Sequence, residues 1–479
     1  MRKLDLFILS IILIIAFIFR LYKINTPLAD LHSWRQVDTA AVARNFVKNG
    51  FDLLHPKYDD LSNVQSGIVN SQGYRMVEFP IYNAIFAYFY KLMPFFPLEV
   101  WGRLTSIIFS LIVIAILYYL LLKESSRLSA IFGSFVYAVF PFFVFFSRVI
   151  LPETPALAFL FLSIFFFYFF SNYKKIDYKS IINYSLSAVF FAFSLLIKPT
   201  IIFYLLPIIV LFYRKYKFSL FKKLDFYIYF FIVFIPLICW RLYIKNFPEG
   251  IPYSDWLFTS TNTAQGLKSI LFRPSFFRWI FFERINNLIL GGYLSLFFVL
   301  GTIAKQKKYL LLSFVFSALA YIFVFQGGNL QHEYYQTLIL PVLSVMIGLG
   351  VSFVFEHKKE FINPILVSIL VFLLFVFSFY FSYSKVADYY LYSQELIQEA
   401  NIINSLTDYK DLIVADRTGD TTLLYLANRR GASSIFRDPI DLKKLGYKYL
   451  ITSSEGEIDI MKPDFEIVFQ NEKFTLFKL

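Results

Sequence analysis

The sequence has a single cysteine, Cys239, set in an apolar run. One cysteine excludes a disulfide within the chain and any cysteine-based metal site. Histidine is nearly as scarce, with four in the whole chain. The stretch 25–79 has no Asp-x-Asp pair, and His55 with Asp59 and Asp60 lacks ligand spacing, so no metal is expected. No glycine-rich nucleotide loop is present either, and no other cofactor is implied. Charge is the third scarcity. Only 16% of residues are charged, against about 25% in a soluble globular chain.

In place of charge the chain has apolar blocks: 58% of it is hydrophobic and the mean hydropathy is +0.60. About 20 apolar residues cross a bilayer as a helix. Runs of this kind fall near 5–22, 80–97, 101–122, 128–146, 153–171, 181–197, 200–213, 225–243, 286–304, 309–325, 334–355 and 362–383, and then stop. The run 5–22 follows Met-Arg-Lys but precedes no small-residue cleavage site, so it reads as a first span rather than a signal peptide. The formal net charge is +13, yet residues 385–479 carry 12 Lys or Arg against 15 Asp or Glu. The basic excess therefore lies among the spans, where it orients them and needs no nucleic-acid partner.

Four basic clusters set the sides: Lys174, Lys175 and Lys179; Arg214, Lys215, Lys217, Lys222 and Lys223; Lys305, Lys307 and Lys308; and Lys358 with Lys359. Simple alternation places all four in the cytoplasm. The outer face then receives Arg148–Glu153, Lys198–Pro199, the loops 244–285 and 326–333, and the C-terminal residues. The early part conflicts with this parity, because 25–79 and residue 101 both fall outside. Either 80–97 re-enters or a further crossing hides in 101–152, broken at Pro141; the second option is the one expected. The resulting domains are a membrane module over 1–384, with a first outer loop 25–79 that includes an interfacial helix near Thr39–Val47, and an extracytoplasmic α/β domain over 385–479. In that domain Leu412–Ala415 and Tyr449–Thr452 read as strands, Thr421–Ala427 as a helix, and Phe465–Phe469 with Phe474–Phe477 as a hairpin through Asn471.

Five outer-face segments set ionisable groups against apolar runs, where such groups usually line a cavity. They are Asp30–Thr39, Arg75–Pro80, Ser147–Pro155, Lys198–Pro199 and Gln326–Gln336. Taken singly, Asp30 and Asp38 fit helix caps, Lys198 a snorkelling lysine, and Arg35 and Arg148 interface anchors. If the loops converge, a carboxylate there can act as general base toward an acceptor, and Arg or Lys can stabilise a phosphate leaving group. These parts suit sugar transfer from a lipid phosphate.

Arg75-x-x-Glu78-x-Pro80 resembles the end of the first outer loop in GT-C membrane glycosyltransferases, in the bacterial branch related to aminoarabinose transferase and protein O-mannosyltransferases. His32-x-Trp34-Arg35-Gln36-x-x-Thr39-Ala40 resembles one subgroup of that branch, and Ser147-Arg148-x-x-x-Pro152-Glu153 its second acidic motif. Lys198 stands where the family has a lysine after a span. His332-x-Tyr334-Tyr335 resembles a late outer-loop motif, and Tyr425–Gly431 a piece of the subgroup's C-terminal domain.

The resemblance implies a GT-C fold: an all-α polytopic membrane module of about 12–13 helices with the small α/β domain. It further implies an inverting glycosyltransferase using a polyprenyl-phosphate sugar donor and a lipid, glycan or protein acceptor, in a bacterial plasma membrane. An acidic residue of the first loop would be the base. The family's own Asp-Glu pair is replaced here by Arg35 and Gln36, which leaves Asp38, Asp30 or His32, with Asp38 slightly favoured. Glu78 and Glu153 would position substrate. Arg35, Arg148 and Lys198 would stabilise phosphate, and His332 and Tyr335 would line the site. Arg241, Arg273, Arg278 and Arg284 are further phosphate candidates, though each also fits an ordinary charge flanking a span. The alternative is a flippase or transporter of a lipid-linked sugar, which would need paired broken half-spans. No such repeat is visible.

Overall fold

A computed structural model describes every residue except 174, 176, 253–271, 305–308 and 361–362. Lys174, Lys305, Lys307, Lys308, Arg278's upstream neighbours at 253–271 and hence the centre of the loop 244–285 lie outside or at the edge of the described residues. The helices run in the order α1 (Lys3–Arg20), α2 (Ser33–Asn49), α3 (Ile81–Leu92), α4 (Leu98–Glu124), α5 (Arg127–Val139), α6 (Pro141–Phe146), α7 (Glu153–Asn172), α8 (Tyr178–Ile197), α9 (Leu205–Tyr216) and α10 (Leu224–Tyr243). There follow α11 (Pro274–Phe277), a π-helix (Arg278–Ile289), α12 (Ser295–Ile303), α13 (Tyr309–Val324), α14 (Gln326–Gln331), α15 (Leu340–Glu356), α16 (Pro364–Val386), α17 (Gln394–Leu406), α18 (Thr422–Leu426), α19 (Pro439–Lys444) and α20 (Glu455–Met461). The chain divides into two units: Met1–Ile24, Arg103–Cys239 and Ser254–Tyr389 form the first; Asn25–Gly102, Trp240–Tyr253 and Tyr390–Leu479 form the second.

The protein is an integral membrane protein. Among the described residues six helical stretches are long and apolar enough to cross a bilayer: Leu98–Glu124, Glu153–Asn172, Tyr178–Ile197, Leu224–Asn246, Glu333–Glu356 and the stretch starting at Pro364. Arg127–Val139 and Tyr309–Val324 are shorter apolar helices. The outward side chains of α16 are Ile365, Leu366 and Phe372, each more than three-fifths exposed. Apolar surface of that extent belongs in hydrocarbon. The starts of these helices are written locally. Asp177 and Ser180 form a reciprocal capping box on α8, and the Asn363 side chain accepts from the Ile365 and Leu366 amides while Pro364 opens α16.

In the first unit, small residues let backbones approach, as membrane packing favours. A Cβ on Gly350 would overlap the Phe297 carbonyl, where α15 meets α12. A Cβ on Gly348 would meet the Ser129 carbonyl and the Gly133 amide on α5. Hydroxyls bind helices elsewhere. Ser163 of α7 lies 3.1 Å from Ser187 of α8, which lies 2.8 Å from Tyr229 of α10. An apolar cavity of about 680 Å³ lies among Phe19, Phe132, Phe140, Phe355, Phe375 and Phe379.

The apolar run 80–97 forms a short helix rather than one of span length. The helix in 80–97 is α3, twelve residues long, or about 18 Å at 1.5 Å per residue. A bilayer core needs about 30 Å, and α3 packs on α2 in the second unit. The extra crossing expected within 101–152 is absent. That stretch holds α4 and then α5 and α6, interrupted at Phe140, whose extended backbone is the one a following proline favours.

The second unit contains a five-stranded sheet in the order β2-β1-β3-β5-β4, with β1 (Leu412–Ala415), β2 (Gly431–Ala432), β3 (Tyr447–Thr452), β4 (Glu466–Gln470) and β5 (Thr475–Lys478). β1 pairs parallel with β2 and β3; β5 pairs antiparallel with β3 and β4. Alternation sorts the strand side chains. Ile413, Ala415, Ile451 and Leu476 pack under α17 and α18. Val414, Leu450 and Phe477 pack under α19 and α20. The hairpin turns through Asn471, whose side chain accepts from the amides of Lys473 and Phe474 at 2.9 Å each. The edge at β2 is covered by the first loop, since Gly431 donates to the Asp59 carbonyl and its own carbonyl accepts from Leu61 at 2.6 Å.

Candidate functional site

The candidate residues fall into two groups, one in each unit. In the second unit they cluster on α2 and the loop after it. α2 covers the expected 39–47 but starts at Ser33, and every residue from Arg35 to Ala43 is buried. His32 precedes it in the left-handed region, φ 56°, a conformation uncommon for a non-glycine residue and concentrated at functional sites. Asp30 is buried and accepts from Gln36 Nε2 at 2.6 Å. Arg35 forms an ion pair with Glu78.

Asp38 is 1% exposed. Its Oδ1 accepts from Thr421 Oγ1 at 2.7 Å, and its Oδ2 lies 3.0 Å from Arg75 Nη2. Burial raises its pKa above the usual carboxylate range; Arg75, Arg35 and the Thr421 hydrogen bond pull it back, and nearby Asp60 pushes it further up. Arg75 is itself oriented by Gln65 at 2.6 Å. Asp60 is fully buried and accepts from Ser433 Oγ at 2.8 Å and the Ser62 amide at 3.0 Å. Burial raises its pKa as well. Arg44 joins Asp59 at 2.5 Å, donates to the Tyr425 carbonyl at 2.8 Å and stacks on the Tyr425 ring.

In the first unit, Glu153 opens α7 and Lys198 follows α8. They form an ion pair at 2.6 Å with side chains 1% and 2% exposed. Lys198 Nζ lies 4.9 Å from the centre of the Tyr335 ring. Glu153 Oε2 and the hydroxyls of Thr200 and Thr337 are buried with no hydrogen-bond partner among the described residues. Buried polar atoms of this kind are rare in native structures and mark sites worth testing. Arg148 is fully buried and donates to the carbonyls of Tyr22 and Lys23 at 2.6 and 3.0 Å. His332 stacks on Tyr334 at 5.3 Å, and Glu333 pairs with Arg284 at 2.9 Å. Among the described residues no three His, Cys, Asp or Glu side chains are grouped to hold a metal ion.

Sequence reasoning missed several partners. Arg20, fully buried, donates to Ser147 at 2.8 Å and to the Ala138 and Tyr137 carbonyls. Its place at the end of a span gave it the look of an ordinary flanking charge. Thr421 lies 383 residues from Asp38, and no local pattern announces such a contact. Arg75 was visible as a motif residue, though not as the counter-ion of Asp38.

Residues 78–240 match the sequence profile of the dolichyl-phosphate-mannose-protein mannosyltransferase family. No curated protein matches the chain. Solved structures do. ArnT from Cupriavidus metallidurans bound to undecaprenyl phosphate superposes with TM-score 0.62 at 12% identity, covering 99% of this chain and 97% of that one. The apo state of the same protein gives 0.63, with the same identity and coverage. The archaeal oligosaccharyltransferase AglB from Archaeoglobus fulgidus, in complex with an inhibitory peptide and a dolichol-phosphate, gives 0.60 at 12% identity, covering 95% of this chain and 70% of that one. The chain thus has the GT-C fold of these solved structures, and residues 78–240 lie on the profile of the dolichyl-phosphate-mannose-protein mannosyltransferase family.

Proposed function

We propose that the chain is an inverting glycosyltransferase that moves a sugar from a polyprenyl phosphate to an acceptor on the outer face of a bacterial plasma membrane. The observation that carries the reading is the buried Asp38 carboxylate between Arg75 and Thr421. A base works best with its pKa near the working pH, and burial moves Asp38 in that direction. Asp38 takes the proton of an acceptor hydroxyl. The acceptor oxygen bonds to the anomeric carbon as that carbon's bond to the phosphate oxygen breaks, and polyprenyl phosphate leaves with the electron pair. One displacement inverts the anomeric centre without a covalent sugar–enzyme intermediate.

Glu78 fixes Arg35 near the base. Within the first unit, Lys198 and Glu153 form a buried charged pair of their own. The apolar cavity beside α16 accommodates a prenyl chain. Polyprenyl phosphates are bound by ArnT and AglB, which supports the same donor class here. The sidedness proposed here is read from the alternation of the apolar runs, and the shortness of α3 supports it. Once that short helix is removed from the count of crossings, the remaining apolar runs alternate so that all four basic clusters share the cytoplasmic face and residues 25–79 and 390–479 lie outside.

The test is transfer by purified protein from radiolabelled undecaprenyl-phosphate sugars to membrane extract, with the anomeric configuration of the product read by NMR. Asp38→Asn abolishes transfer and Asp30→Asn leaves most of it. A retained anomeric configuration, or a fully active Asp38→Asn protein, refutes the mechanism.

A further inference from the structure

The small α/β domain touches α2 through α18. Its contacts with α2 give it a task. Thr421 ends the loop that leaves the carboxyl end of β1, the edge at which open α/β sheets place their functional loops, and Thr422 opens α18. The turn before them is built to a fixed shape. Thr418 and Gly419 take positive φ values of 50° and 95°, and the amides of Arg417 and Gly419 both donate to the Ser433 carbonyl. Asp420 then accepts from the Thr422 amide at 2.8 Å.

Thr421 is the N-cap residue of α18, yet its hydroxyl makes no cap bond to that helix. A threonine in that position ordinarily bonds the amide two or three residues on. Here the hydroxyl leaves its own helix and donates to Asp38 at 2.7 Å, with Thr421 3% and Asp38 1% exposed. Thr422 adds a second hydroxyl contact, to Ser33 at the start of α2, at 3.0 Å. Further along, the Tyr425 carbonyl holds Arg44 and the Asn428 side chain holds Lys48 at 2.7 Å. The α18 segment thus follows α2 from its first turn to its last.

We propose that the C-terminal domain is part of the transfer apparatus, with Thr421 as a positioning residue that aims the Asp38 carboxylate and favours its ionised form. This rests on the reading of Asp38 as the base. A hydroxyl that donates to one carboxylate oxygen fixes the plane of the group and leaves the other oxygen toward Arg75. It also opposes the effect of burial, because a hydrogen bond given to a carboxylate favours the charged form. The other groups acting on Asp38 are Arg75 from the first loop, Arg35 one turn earlier on α2, Asp60, and the Tyr58 phenol. On α3, the buried Tyr82 donates its hydroxyl to the Gly102 carbonyl at 2.9 Å. From α18, Tyr425 donates to Glu99 at 2.6 Å. Thr421 is the neutral donor among these groups, so its removal changes the hydrogen bonding of Asp38 without changing the charge around it.

The experiment uses the full-length protein in detergent and the undecaprenyl-phosphate sugar that the wild type consumes fastest from a set of mannosyl, glucosyl, galactosyl and arabinosyl donors. Rates are measured across pH for wild type, Thr421→Val, Thr421→Ser and Asp38→Asn. In Thr421→Val, kcat falls, the donor KM is unchanged, and the acidic limb of the pH profile moves up by about one unit, the size of one hydrogen bond to a charged group. Thr421→Ser keeps the hydroxyl and restores the wild-type limb. A domain that merely held the fold together would lower activity at every pH equally. If Thr421→Val does not purify as a single species, Thr421→Ala removes the same hydroxyl without a branched side chain and carries the same readout. An inactive Asp38→Asn beside a Thr421→Val protein with an unmoved limb overturns the positioning role alone. A fully active Asp38→Asn overturns the base assignment, and the positioning role with it.

Discussion

Exchanging Lys198 for methionine keeps most of the apolar stem and removes the ammonium group. In the folded protein that ammonium lies 2.6 Å from Glu153, and neither side chain is more than 2% exposed. Removing one partner of a buried ion pair leaves an uncompensated charge and costs about 3–5 kcal/mol. Glu153 aggravates the loss, because its second oxygen has no partner among the described residues to take over. Glu153→Gln alone strands the ammonium and falls in the same range. The double variant strands no charge, so it costs less than the sum of the two, with a coupling of about 2–3 kcal/mol. The assay is a double-mutant cycle in mixed micelles, with unfolding by dodecyl sulfate followed by far-UV circular dichroism. Two single variants that each cost below about 1 kcal/mol and add without coupling would refute the view that Glu153 and Lys198 form one buried unit.

Other expectations follow from the same geometry. Gly350→Ala places a methyl on the Phe297 carbonyl, so it should destabilise the first unit by about 1–3 kcal/mol, visible as a lower unfolding midpoint in detergent. Arg44→Met breaks the 2.5 Å pair with Asp59 and the bond to the Tyr425 carbonyl, and it should loosen the second unit by about 3 kcal/mol, read by faster proteolysis between residues 407 and 431. The pKa values of Asp38 and Asp60 are raised by burial, so the folded chain holds protons that the unfolded chain has released. Their contribution to stability therefore falls as pH rises from the ordinary value of 3.8 through their folded values. Asp38→Asn should flatten that part of the stability profile in thermal unfolding across pH.

The legible parts of this protein were those with a period or a local signature. Apolar runs of span length marked the membrane module, and the short apolar run at Leu412–Ala415 with the turn at Asn471 marked the α/β domain and its hairpin. Run length also misled at 80–97. A twelve-residue amphipathic helix followed by Pro94 and Pro97 has the hydropathy of a span without its length. The acidic and basic motifs were visible as residues out of place beside apolar runs, and Lys198 and Glu153 do meet. Their roles remained open because pairing is tertiary. Asp38 and Arg75 are 37 positions apart, and Asp38 and Thr421 are 383 apart. Neither distance leaves a mark in a local pattern. Arg35 and Glu78 likewise became a pair only when the loop folded back on α2.

The most direct test of the account is whether purified wild-type protein separates sugar from polyprenyl phosphate. Protein in detergent, undecaprenyl-phosphate donors labelled in the sugar, and membrane extract shown competent by a control enzyme are incubated and the lipid phase is counted. Label leaving the lipid phase and entering extract, with free undecaprenyl phosphate formed in equal amount, is the predicted result. Donors that stay intact across the whole panel, while the same protein in vesicles moves them from one leaflet to the other, would contradict transfer and make the chain a flippase.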